Sequence, residues 1–210
     1  MNLTALFTLA DSRLPIGGHV HSGGAEEAVA SGLVRDLATL EAFLRRRIRT
    51  AALVSASIAA AVCDGRLDAR TADAATDART PAPAARAASR AQGRGLLRLA
   101  KHAWRHHDWA ELGARPHLPV VTGVAGRLVA ATAAETAAVL VYTTMTGSAT
   151  AAQRLLALDP ADVAALTLRL ADLCDETATR AARDLHAESD PLLDVLAQRH
   201  TARELPLFAS

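Results

Sequence analysis

Across residues 37–62, Leu37, Leu40, Leu44, Ile48, Ala51, Ser55, Ile58 and Val62 recur at steps of three and four, the spacing that keeps one stripe of an α-helix turned inward. A helix this long must have its stripe covered, and composition decides by what. Half of the 210 residues are apolar, fifty of them are alanine, and the aromatics are two Trp, one Tyr and three Phe. Alanine is the strongest helix former and lets helices approach closely, whereas a β-sandwich wants β-branched and aromatic residues between turn signals. The stripe returns at Gly93, Leu96, Leu97, Ala100 and Trp104, and again at Val163, Leu166, Leu170 and Leu173. Helix ends are marked too. Asp36 is placed as an N-cap and Gly65 as a stop, Thr132 with Glu135 forms a capping box, and Asp159-Pro160 and Asp190-Pro191 each put proline at the first helical position. The pattern predicts helices near 3–11, 23–32, 37–63, 67–78, 84–104, 119–131, 133–158, 160–185 and 191–203. Only 117–124 competes as a strand, and it has no partner. The expected fold is all-α, a single bundle-like domain over 1–210 with roughly nine helices.

Charge excludes several function classes. Twenty-three basic residues, all arginine except Lys101, face 22 acids for a net +1, so no global field for nucleic acid or an anionic membrane follows. Few aromatics are present to stack on bases. Cys63 and Cys174 lie far apart with no CxxC, which argues against a zinc ribbon or a disulfide framework and fits a reducing cytoplasm. The opening MNLTALFTLA has no basic n-region and runs into Asp11, unlike a secretory signal. The uncharged stretch 136–153 has spanning length but carries Thr143, Thr144, Thr146, Gly147, Ser148 and Thr150, too polar for a bilayer helix. The expectation is a cytoplasmic protein without nucleic-acid or membrane partners.

Residues 11–27, DSRLPIGGHVHSGGAEE, are the most informative stretch. Gly17, Gly18, Gly23 and Gly24 fall within eight positions, where glycine serves positive φ or close backbone approach. An anion site at the following helix is opposed by Glu26 and Glu27 in its first turn, which disfavours nucleotide binding; the plain reading is a tight interhelical turn. His19 with His21, and His102 with His106 one helical turn apart, each lack a third metal ligand. His107-Asp108 resembles the dyad of metal-dependent phosphohydrolases, the alternative function, but a solvated helix end explains it more simply. Gly93-Arg94-Gly95 lacks the third glycine of a dinucleotide fingerprint, and the only lysine, Lys101, follows Ala100 and precedes His102, so no P-loop exists. Arg45, Arg46, Arg47 and Arg49, with Glu41 set to pair with Arg45, read as a solvated face or as a patch for an acidic partner. Residues 146–152, TGSATAA, permit close approach of another helix, within the core or across a dimer seam. No nucleophile has an evident base and no carboxylate pair stands out, so no catalytic residue is assigned and the residues alone point to a helical binding or scaffold protein.

DSRLPIGGHVHSGGAEE resembles the N-terminal signature of the urease accessory protein F family, UreF, with Asp11, Ser12, Pro15, Gly17, His21, Ser22, Gly24 and Glu26 matching in place. Three further blocks resemble the family in the expected order. They are Arg86, Ser89, Gln92 and Gly93 with the leucines that follow; His117, Pro119, Val120 and Gly123; and Ser148-Ala149 with Arg154-Leu155. Two features depart from it: His19 stands where the family usually has an aromatic, and residues 156–160, LALDP, replace a stretch containing glycine and glutamine. The resemblance implies an all-helical, dimeric, non-catalytic protein that joins UreD and the GTPase UreG on apo-urease so that nickel reaches the active site. It also implies no tightly bound cofactor, with GTP on the partner and nickel in transit. The signature residues, with Ser148, Arg154 and the apolar tail residues Leu205, Leu207 and Phe208, are then the candidate partner contacts, and His21 a transient contact for nickel.

Overall fold

The stripe of residues 37–62 is helical, with one interruption that changes which residues it buries. In the computed structural model, which describes residues 2–16 and 21–200, α3 (Leu37–Arg47) passes through a π-helical turn (Ile48–Ala52) into α4 (Leu53–Cys63). The extra residue in that turn rotates every later side chain about the axis. Ala51 and Ser55, predicted on the inward stripe, are exposed and half-buried, and Ala52 and Ala56 are buried in their stead. From Leu53 to Cys63 every residue but Ser55 is buried. Close packing around α4 depends on small side chains: a Cβ on Gly123 would lie 2.6 Å from the Ala59 carbonyl oxygen.

The remaining helices are α1 (Leu3–Leu9), α2 (Ala25–Ala30), α5 (Ala69–Ala78), α6 (Pro83–Ala103), α7 (Leu118–Leu128), α8 (Ala133–Leu156), α9 (Pro160–Arg169), α10 (Ala171–Arg183) and α11 (Pro191–His200). The described residues hold no strand, and the segment that competes as one in sequence, 117–124, lies mostly in α7. The all-α expectation is met. The stretch 160–185 is a correction: it is two helices, broken at Leu170, whose N–H is shared between the Leu166 and Thr167 carbonyls at 3.2 Å each. No glycine or proline marks this break. Leu170 is fully buried, and the bend lets α9 and α10 both pack on α8.

The caps are where the sequence places them. Asp36 accepts from Thr39 N at 2.8 Å, Thr132 and Glu135 close a capping box at 3.2 and 2.8 Å, and Asp159 accepts from Ala161 N at 2.7 Å. Asp190 accepts from Leu192 N at 3.1 Å ahead of α11. Two adjoining apolar clusters form the core, one among α3, α4 and α8–α11, the other among α4–α7. Cys63 and Cys174 are buried free thiols, and among the described residues no helix is long and apolar enough to cross a membrane.

The departure at residues 156–160 has a backbone consequence. Ala157 ends α8 with φ 51°, a left-handed conformation that glycine adopts without steric cost. Relief of that strain exceeds the extra chain entropy of glycine, so Ala157→Gly should stabilise the protein by about 0.5–1 kcal/mol, read as a higher urea midpoint at unchanged m-value.

Candidate partner-binding site

The four blocks that resemble a family meet in two pairs. In the first, the Ser148 hydroxyl on α8 donates to the Ser22 carbonyl at 3.1 Å, tying the glycine bend to the helix that carries the fourth block. Gly23 and Gly24 stand at φ 61° and 87°, and this double left-handed step turns the chain into α2. Glu26, in the first turn of α2, is buried with its Oε2 2.7 Å from His200 Nε2 at the end of α11. Asp11 caps the approach to the bend. Its carboxylate accepts from the Arg13 side chain at 2.6–3.1 Å and from Arg13 N at 2.8 Å, and these contacts, the side chain foremost, pull its pKa down to about 2.

In the second pair, α6 clasps the turn into α7. Gly93 faces that turn so closely that a Cβ would lie 2.1 Å from the Pro116 carbonyl oxygen. His117, fully buried, offers Nδ1 to the Ser89 hydroxyl at 3.0 Å and Nε2 to Asp77 Oδ1 at 2.9 Å, while its backbone N–H donates to Asp73 Oδ1 at 2.9 Å. Leu118 N–H donates to Ser89 Oγ at 3.3 Å, so the hydroxyl hydrogen is free to point at Nδ1 and the ring carries its proton on Nε2. Asp73, Asp77 and His117 are the one group of three potential metal ligands among the described residues. Arg90 occupies the place of an ion there: its Nη2 lies 3.0 Å from Asp73 Oδ2 and 2.6 Å from Asp77 Oδ2. The cluster is a structural clasp. Asp73 and Asp77, four apart on α5, are the carboxylate pair that sequence reading does not single out, because their partners lie far along the chain.

Burial is the largest influence on His117 and holds it neutral, below its ordinary pKa, against the pull of Asp77. Burial opposes the charge on Asp77, but His117 and Arg90 outweigh it and hold that carboxyl below the ordinary range.

The other candidates fall as follows. Asp11 and His21 are half-buried, Ser12, Pro15 and Arg154 exposed, and Ser22, Gly24, Glu26 and Ser148 buried. Gly17, His19, Leu205, Leu207 and Phe208 lie outside the described residues. His102 and His106 are not a helical pair, since α6 ends at Ala103 and His102 Nδ1 lies 3.0 Å from the Arg98 carbonyl oxygen. Asp108 accepts from Ala110 N at 2.9 Å, and the His107 ring stands edge-on to Trp109 at 4.6 Å, so both belong to the loop after α6. The arginine run divides: Arg45 pairs with Glu41 at 2.7 Å, Arg46 with Asp190 at 2.7 Å, Arg49 is exposed, and Arg47 turns inward to the Gly23 carbonyl.

Among the described residues, two concavities bear on these candidates. A cavity of about 210 Å³ lies under the bend, with His21, Gly23, Gly24 and Arg47 on its wall. A larger apolar groove of about 910 Å³ runs between α1 and α8–α10, and Asp11 and Ser12 sit on its rim. Phe7, Tyr142 and Leu168 line it while 66%, 48% and 76% exposed. The small-residue run splits between these surroundings, Ser148, Ala151 and Ala152 being buried and Thr146 and Thr150 lining the groove. Sequence reading misses the groove because its residues come from four helices.

Buried motif residues that hold helices together, beside an open apolar groove, define an all-helical protein whose family signature is part of its framework. The family model for UreF matches residues 34–171, more than half of the chain. The chain is 68% identical over 208 residues to the urease accessory protein UreF of Mycobacterium sp. (strain JLS), covering 99% of each chain. It is 66% identical over 212 residues to that of Mycolicibacterium vanbaalenii, covering 100% of this chain and 99% of the relative, and 61% identical over 209 residues to that of Mycobacterium tuberculosis (strain ATCC 25177 / H37Ra), covering 100% and 99%. The chain belongs to the UreF family of urease accessory proteins, and it is not an enzyme.

The clasp sets a pH dependence. The unfolded chain takes up a proton at His117 near pH 6.5 and the folded chain resists it, so the contribution of His117 is complete above about pH 6.5 and declines as pH falls toward the lower folded value. The urea midpoint should drop between pH 7.5 and 5.5, and His117→Gln should flatten that drop while costing about 2–3 kcal/mol at pH 7.5.

Proposed function

We propose that the chain is a homodimeric, cytoplasmic adaptor of urease maturation, which joins UreD and the GTPase UreG on apo-urease so that nickel reaches the active site. The observation that carries this reading is the groove between α1 and α8–α10, where Phe7, Tyr142 and Leu168 are offered to solvent over an apolar floor. Exposed apolar patches of this kind are covered in the working state of a protein. The groove takes a second copy of the chain, and the small residues Thr146 and Thr150 of α8 let a partner helix approach. The chain has no P-loop, so GTP is bound and hydrolysed by the partner. The tail with Leu205, Leu207 and Phe208 is a second docking segment, for UreD.

His21 contacts nickel in transit; its half-buried place on the wall of the cavity under the bend supports this role. Nickel is cargo here, held briefly, and the rigid helices keep donor and acceptor in register.

Phe7→Glu with Leu168→Glu should turn a dimer into a monomer by light scattering after size exclusion while leaving helicity unchanged, because both side chains are exposed. A dimer that survives both changes removes the groove from the interface. His21→Ala should lower the nickel content and activity of co-expressed urease several-fold with the accessory complex still assembling; normal activation takes His21 out of the path.

A further inference from the structure

Three consecutive arginines at the end of α3 have unequal surroundings. Arg45 and Arg46 are matched by Glu41 and Asp190, while Arg47 meets no carboxylate among the described residues. Of its five N–H donors, only one on Nη1 is used among the described residues, to the Gly23 carbonyl, and Nε is shut from solvent with no acceptor among them. The closeness of this guanidinium is also what excludes a side chain at Gly23, whose Cβ would lie 2.4 Å from Nη2. Arg47 forms part of the wall of the cavity of about 210 Å³ beneath the bend.

The other charged groups on that wall do not compensate it. Arg79 has only carbonyl acceptors, from His186 and Ala75. Asp190 is engaged by Arg46, and Glu188 by His186 and Arg180. Burial and the neighbouring Asp190 push the Asp194 carboxyl up, and Arg47 is not among the groups that act on it. His21 completes the titratable set. A half-buried cation without a counter-charge is costly, and a guanidinium is built to hold a planar anion through parallel N–H donors. Desolvation lowers Arg47 only to about 10, so it remains charged at neutral pH.

We propose that this cavity is a binding site for a small carboxylate anion, seated against the Arg47 guanidinium. The space holds several water-sized groups and is smaller than the roughly 300–1,000 Å³ of sites for drug-sized ligands, which sets the size class of the anion. The Thr144 hydroxyl on the same wall is a further donor, while that of Thr50 is already given to the Arg46 carbonyl at 2.8 Å.

Acetate is the probe, added to the full-length protein against sodium chloride of equal ionic strength. At a few times its Kd, acetate should raise the Tm by about 2–4 °C. The protein should also broaden the fluorine resonance of trifluoroacetate, and excess acetate should sharpen it again. Arg47→Met should abolish both effects. Should that variant fail to fold, Arg47→Lys decides, because it keeps the charge and loses the planar fork; a threefold or greater loss of acetate affinity supports the site. No acetate effect beyond chloride in the parent protein, or equal affinity in whichever variant folds, overturns it.

Discussion

The close approach of neighbouring helices to α4 is the constraint on which the rest depends. Ten of its eleven residues are buried, so α5, α7, α8 and α10 pack around it with little room for large side chains. Alanine at positions 52, 56, 59, 60 and 61 and glycine at 123 make this separation possible. A core of this kind gains less from each residue than one of leucine and phenylalanine, and compensates through dense contact over many residues. It also permits few changes of volume, which is why α4 joins both apolar clusters into one rigid frame.

On that frame, polar contacts between distant segments choose the arrangement of the outer helices. Ser22 with Ser148 and Glu26 with His200 hold the glycine bend to α8 and α11. Asp73, Asp77, Arg90, Ser89 and His117 join α5, α6 and the start of α7. These groups are buried or half-buried and, the Ser22 hydroxyl apart, matched donor to acceptor, so they add specificity where alanine packing alone offers little. What is left unmatched among the described residues stands out against them: the apolar groove on α8, the guanidinium of Arg47, the Ser22 hydroxyl and His107 Nε2.

Much of the fold was legible along the chain, because helical period, caps and proline at the first turn are local signals. Asp36, Thr132, Asp159 and Asp190 cap where expected, and the helix limits follow to within a few residues. The break at Leu170 and the π turn at 48–52 were not, since neither carries glycine or proline; each is set by what the neighbouring helices bury. Of the candidate site, the glycine bend was readable and its signature residues pointed to the family. Their individual duties were not: Ser22, Glu26 and Ser148 proved to be internal fastenings, and the run of arginines gave no sign that Arg47 alone turns inward.

The sequence by itself determined helix content, most helix starts, the lack of a P-loop and the family, because periodicity, capping chemistry and motif spacing are written within a few turns of one another. Only the tertiary structure decided which face of α4 is inward, which acids meet Arg90, and where a groove and a cavity remain open. Those outcomes depend on contacts between residues far apart in the chain, such as Asp77 with His117 and Glu26 with His200, whose closeness follows from packing all the helices at once.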